Sequence, residues 1–201
     1  FWRYFLGYPE MAEQPAGFEQ LIDWVRLRKV LINMTHAFGK PLVFKSFLLI
    51  WHLKRMQQVL PKSIFLWIRR DPIDNGLSIL KAREAQLGSI DKWISLKPKE
   101  YDWLQHQPVP LQIAGQIFFT ERAIADQVEQ IRSNNTLIIE YRDLCTDPQG
   151  VLKQLLEVLK NSGQTVNKIN PPPAQFPFSA SPTEHYLLDQ LRAAYENLQA
   201  Q

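Results

Sequence analysis

The chain has 201 residues, 45% of them hydrophobic and 21% charged, with a formal net charge of +3. That is enough apolar material for one substantial core, so a single domain over residues 1–201 is expected and disorder is argued against. The positive charge is mild and scattered, which suits an anion site but gives no basic stripe for nucleic acid. The one cysteine, Cys145, excludes an internal disulfide and any cysteine-based zinc cluster.

The first predicted element is a helix over Phe18–Phe38, with apolar positions at Leu21, Ile22, Val25, Leu27 and Leu31–Ile32 and a glycine stop at Gly39. A short apolar run, Pro41–Phe44, reads as a buried strand. A helix over Phe47–Leu60 follows and ends at Pro61. A second strand is predicted at Ser63–Ile68, and Asp71-Pro72 then reads as an N-cap with proline in the first helical turn. Leu111, Ala114, Ile117, Phe118, Ile124, Val128 and Ile131 make one stripe on a long helix from about Pro110 to Arg132. Thr136–Tyr141 is the third strand, and Asp147-Pro148 opens a helix over Gln149–Lys160. Residues 161–182 form a proline-rich extended segment. A last helix, 183–198, has Ser181 or Thr183 as its cap.

Continuous rather than alternating hydrophobicity in the strands fits a parallel sheet covered on both faces. The fold class expected is α/β, with a parallel sheet flanked by helices and a helical insertion before the third strand. Ligands of such sheets bind beyond the carboxyl ends of the strands, where Lys45, Arg69–Arg70 and Tyr141–Asp143 fall. Arg70 would stand beside the positive end of the helix after Pro72, with Ser78 about two turns in. A guanidinium fork and a hydroxyl match a phosphate monoester. The plainer reading is a solvated arginine pair at a helix start. Lys45 could neutralise a group in transfer, or simply be a solvated lysine. Tyr141 could lie against a purine, or be a core tyrosine with a wet hydroxyl.

Three segments in register resemble the sulfotransferases that use 3′-phosphoadenosine 5′-phosphosulfate. Leu-Val-Phe-Lys-Ser (42–46) is similar to the family's strand ending in Lys-Ser or Lys-Thr. Ile-Phe-Leu-Trp-Ile-Arg-Arg-Asp-Pro-Ile-Asp-Asn-Gly-Leu-Ser (64–78) resembles its 3′-phosphate motif, an arginine followed eight positions later by a serine. Leu-Ile-Ile-Glu-Tyr-Arg-Asp-Leu-Cys-Thr-Asp-Pro (137–148) resembles its Tyr-Glu-Asp-Leu segment, with Arg142 in place of the glutamate. The resemblance covers about residues 40–160 and implies a P-loop-NTPase-like sheet. It implies that Arg70 and Ser78 bind the donor's 3′-phosphate, that Tyr141 lies near the adenine, and that Lys45 approaches the sulfuryl group or its bridging oxygen. The acceptor would be a small molecule, carbohydrate or protein with a hydroxyl or amine, the product adenosine 3′,5′-bisphosphate, and no metal is needed.

Two departures stand out. No Gly/Ser/Thr-rich 5′-phosphosulfate loop precedes Lys45, and the chain, which does not open with methionine, reads as a piece lacking that loop. Where cytosolic members carry a catalytic histidine, two positions after the lysine, the residue is Phe47. The general base is therefore unassigned among His36, His52, His106, His185, Glu84 and Glu100. Trp93, Tyr101 and Trp103 could line an acceptor cleft, with core packing the expected use of at least two. The alternatives are a noncatalytic binding module on the same fold and a relative of the P-loop nucleotide kinases. With no run of about 18 apolar residues, no membrane span is expected, and the lone cysteine leans toward a cytoplasmic setting.

Overall fold

The computed structural model describes residues 1–131, 133–164, 166, 169–178 and 185–200. Helix α1 spans Trp2–Leu6, a 3₁₀ turn covers Phe18–Leu21, and α2 runs Trp24–Phe38. The helix expected from Phe18 thus begins six residues late. The cause is Asp23, whose side chain accepts a hydrogen bond from the Arg26 amide at 2.8 Å and sets the start of α2. Gly39 closes α2 in the left-handed region, with φ of 60°, as a glycine stop should.

The strand expected at Pro41–Phe44 does not form, since residues 41–46 have no regular structure and Val43 is 92% exposed. Phe44 stacks on Phe1 with ring centroids 5.2 Å apart and meets Trp2 edge-on at 5.1 Å. Leu42 packs on the same core. Aromatic contacts of the still exposed Phe44 with Phe1 and Trp2 hold this run against α1, and no strand lies alongside it among the described residues. The next expected helix divides at His52 into a 3₁₀ turn, Leu48–Trp51, and α3, Leu53–Val59.

Strand β1 is Phe65–Arg69, α4 is Pro72–Leu87, α5 is Tyr101–Leu104 and α6 is Val109–Glu129. A 3₁₀ turn at Ser133–Asn135 leads to β2, Thr136–Glu140, then α7, Tyr141–Thr146, and α8, Pro148–Asn161. Helix α9 is Leu188–Gln199, so it begins later than the expected 183. The caps expected at Ser181 and Thr183, and the helix end expected at Arg132, lie outside the described residues.

β1 and β2 pair in parallel with Arg69 opposite Glu140, and they are the whole sheet among the described residues. The molecule is therefore helix-rich, and among the described residues its parallel sheet has two of the three strands expected. Covering on both faces is also incomplete: Leu66, Ile68 and Ile138 are each about half exposed.

Two apolar clusters surround α6. One gathers Trp2, Tyr8, Trp24, Leu27, Trp51 and Met56. The other joins α4, α6 and α9 through Leu77, Leu80, Ile113, Ile117, Leu191 and Leu198. Gly76 lets α9 approach, because a Cβ there would lie 2.5 Å from Leu191 Cδ2. α6, at about 1.5 Å per residue, is long enough to reach both clusters.

Candidate functional site

The parallel register brings both strands to an end at the same level, so the residues that follow them are neighbours. The Arg70 guanidinium lies 5.2 Å from the centre of the Tyr141 ring. Asp71 accepts hydrogen bonds from the Ile73 and Asp74 amides at 3.0 and 2.9 Å, with Pro72 in the first turn of α4. This is the capped helix start expected from Asp71-Pro72, and its positive end adjoins Arg70. Ser78 is exposed on α4, seven residues after the cap. At 100° per residue, seven steps return a side chain to within about 20° of the starting face, so Ser78 shares the face of Asp71.

Tyr141 is half-buried and opens α7. Its ring meets Phe178 at 5.9 Å, and the Arg142 guanidinium lies 5.3 Å from the Phe178 ring. The Phe176 amide donates to the Cys145 carbonyl at 2.8 Å, which returns this part of the proline-rich segment to α7. The Cys145 side chain holds the Tyr141 hydroxyl above its usual pKa, against the lowering effect of Arg70. The result is an aromatic and guanidinium surface of Arg70, Tyr141 and Phe178, a match for a flat base carrying a phosphate.

Lys45, expected at a strand end, does not join the ends of β1 and β2 through the sheet. It is exposed in the irregular 41–46 run, with Nζ 4.8 Å from the centre of the Phe47 ring. The missing strand is the reason: without it, nothing aligns Lys45 with the ends of β1 and β2.

A group the sequence reading passed over is Glu121, on α6. It feels the charges of Arg69, Glu140 and Asp71, and Tyr195 Oη donates to its Oε2 at 3.3 Å. Burial, the largest cause, raises the Glu121 carboxyl above its usual value, against the lowering effect of Arg69. Tyr195 in turn is pushed up to about 12, mainly by burial and then by the Glu121 charge. A signal did exist in the sequence. Glu121 follows Ile117 by four residues and precedes Ile124 by three, so a carboxylate interrupts the apolar stripe of a helix.

Among the histidines, His36 and His106 are exposed, and His185 stacks on Tyr186 at 4.8 Å. His52 differs: it is buried, its Nδ1 lies 3.3 Å from Glu19 Oε2 and its Nε2 2.7 Å from Tyr8 Oη. Nδ1–H facing a carboxylate leaves Nε2 to accept from the Tyr8 hydroxyl. Burial lowers the His52 pKa, and Glu19 partly opposes this. The chain Glu19–His52–Tyr8 borders a cavity of about 240 Å³ shared with Glu13, Phe18 and Trp51, and none of Lys45, Arg70, Ser78 or Tyr141 lines it.

Glu84 is exposed and Glu100 partly buried. Trp93 and Tyr101 pack edge-on at 4.9 Å, while Trp103 is 47% exposed. Among the described residues no three His, Cys, Asp or Glu side chains gather as a metal site would need, and no helix is long and apolar enough to cross a membrane.

Comparison with known proteins bears on the family of the chain. Neither the curated proteins nor the solved structures contain a match to the chain. The sequence does match the Sulfotransferase family over residues 5–162, a span that takes in β1, the Arg70–Ser78 segment, Glu121, β2 and Tyr141. It also reaches upstream of the 40–160 stretch that carried the resemblance. With most of its length matched and the arginine-capped strand end in place, the chain belongs to the sulfotransferase family.

Proposed function

We propose that the chain moves a sulfuryl group from 3′-phosphoadenosine 5′-phosphosulfate to an acceptor hydroxyl or amine. The observation that carries this reading is the Arg70–Tyr141 pair at adjoining strand ends, beside the capped start of α4. In it Arg70 takes the 3′-phosphate with Ser78, and Tyr141 lies against the adenine. The family's P-loop-like sheet would supply the frame. The bond from sulfur to the bridging phosphate oxygen breaks as a bond to the acceptor oxygen or nitrogen forms. Adenosine 3′,5′-bisphosphate leaves, and the acceptor proton passes to a base.

As in phosphoryl transfer, the protein contributes positioning and charge stabilisation. Lys45 would reach the sulfuryl group only if the exposed 41–46 run draws toward the strand ends. Glu121 is the base this arrangement favours, because a carboxyl with a raised pKa beside Arg69 is suited to taking a proton. The acceptor is a small molecule, a carbohydrate or a protein.

A thermal-shift measurement tests the reading. Adenosine 3′,5′-bisphosphate should raise the melting midpoint, and Arg70→Ala should abolish the rise; no rise in the unaltered chain counts against it. Phe47 at the family's histidine position, with Lys45 outside the sheet, favours a second reading, a noncatalytic module that binds the nucleotide. That reading predicts the same shift with no sulfuryl transfer to any acceptor.

A further inference from the structure

Arg83, on α4, has the largest side chain among those that are fully buried, at 0% exposure. Buried guanidinium groups ordinarily sit against a carboxylate, because desolvating the charge is costly. Arg83 has no ion-pair partner among the described residues. Its Nη1 donates to the Ile90 carbonyl at 3.0 Å and to Gln112 Oε1 at 2.9 Å, and Trp93 covers one face with its ring centre 5.1 Å away. Nε and Nη2 donate to nothing among the described residues. These two nitrogens share one edge of the planar fork, the edge that presents two parallel N–H groups to the oxygens of a single oxyanion.

Asp91 and Tyr101 act on Arg83 only through their charge, and burial still lowers its pKa to about 10. A buried water could bridge such atoms, but it would bring no charge to pair with the guanidinium. Ile90 and Trp93, which cover Arg83, lie between two left-handed residues, Gly88 with φ of 68° and Ser95 with φ of 72°. Along α4, Arg83 lies eleven residues from Pro72, about 16 Å at 1.5 Å per residue, so it is separate from the strand ends.

We infer that Arg83 anchors a second, buried oxyanion site, which takes a carboxylate or a sulfate or phosphate group of a small ligand in its Nε–Nη2 edge when the 88–95 segment lifts. The site is independent of the donor reading. Its position on the far part of α4 gives the chain a means of selecting an acidic ligand apart from the nucleotide.

The test follows the Arg83 Nε–H resonance in the whole chain labelled with ¹⁵N-arginine, assigned through its own side-chain carbons. Sodium acetate and sodium sulfate are titrated separately against sodium chloride at matched ionic strength. A saturable shift with acetate alone assigns a carboxylate ligand, with sulfate alone a tetrahedral one, and with both a general oxyanion site. The shift should persist in Arg70→Ala, which removes the other anion site. Arg83→Lys, which keeps the charge but lacks the two-pronged edge, should lose one bound anion by calorimetry. An unchanged resonance, a shift that chloride reproduces, or a shift that disappears in Arg70→Ala would each overturn the inference.

Discussion

Arg70 and Tyr141 are 71 positions apart in the chain, yet the guanidinium of one lies 5.2 Å from the ring centre of the other. The parallel pairing of Arg69 with Glu140 makes them neighbours. An arginine placed on an aromatic face gains about 0.5–2 kcal/mol from the ring. Tyr141→Ala should therefore weaken binding of adenosine 3′,5′-bisphosphate by about 3- to 30-fold, through lost stacking and a less ordered Arg70. Tyr141→Phe keeps the ring and should bind almost as well. Calorimetry on the two variants separates the ring from the hydroxyl.

Glu121→Gln should reduce the rate of sulfuryl transfer by about 100-fold or more while leaving nucleotide binding within about twofold. Its pH profile should lose the limb on which a carboxylate ionises. Lys45→Ala should likewise spare nucleotide binding and act on the rate alone. Steady-state rates and equilibrium titrations on the same preparations decide both points. Weakened nucleotide binding in either variant would contradict the roles given.

His52 makes stability depend on pH. Its pKa is lowered from the ordinary 6.5, so the folded chain holds it neutral where the unfolded chain protonates it. The unfolded state then binds more protons, and stability falls as pH drops below about 6.5 toward the folded value. Glu13 and Glu121 have raised pKa values and act oppositely, since the stability they give at low pH is lost as pH rises above 4.5 through their folded values. Comparing His52→Gln with the unaltered chain isolates the histidine. Urea midpoints at pH 7.5 and 5.5 should differ less in the variant.

Gly76→Ala should destabilise the chain by about 1–3 kcal/mol, because the new methyl would meet Leu191 Cδ2 at 2.5 Å and Ile113 Cγ2 at 3.3 Å. The loss should be recovered in part by Leu191→Ala, which opens space where α9 crosses α4. Urea unfolding of the two single variants and the double variant measures the coupling.

The capped helix starts were legible in the sequence. Asp71-Pro72 and Asp147-Pro148 each begin a helix as their residues require, and β1 and β2 lie within a residue or two of the apolar runs that announced them. Those signals are local. The run Pro41–Phe44 was misleading because four apolar residues say only that burial is sought. Phe44 finds partial cover on Phe1 and Trp2 without a strand, and Val43 stays exposed. Arg70 and Ser78 stood out by their spacing, whereas Glu121 and Arg83 acquire their character from tertiary neighbours. Glu121 at least interrupts an apolar stripe. Arg83 shows nothing in the sequence to separate it from a solvated helix arginine, and the cover of Trp93 and Ile90 that buries it comes from beyond the helix end.

The proposed function turns on Arg70 reading a 3′-phosphate. The most direct measurement compares adenosine 3′,5′-bisphosphate with adenosine 5′-monophosphate by calorimetry, on the unaltered chain and on Arg70→Ala. A charge-assisted phosphate contact of about 1.5–3 kcal/mol corresponds to a preference of about 10- to 150-fold for the bisphosphate. That preference is expected in the unaltered chain, and its disappearance in Arg70→Ala. Equal affinity for the two nucleotides in the unaltered chain, or a preference that survives the loss of Arg70, would contradict it.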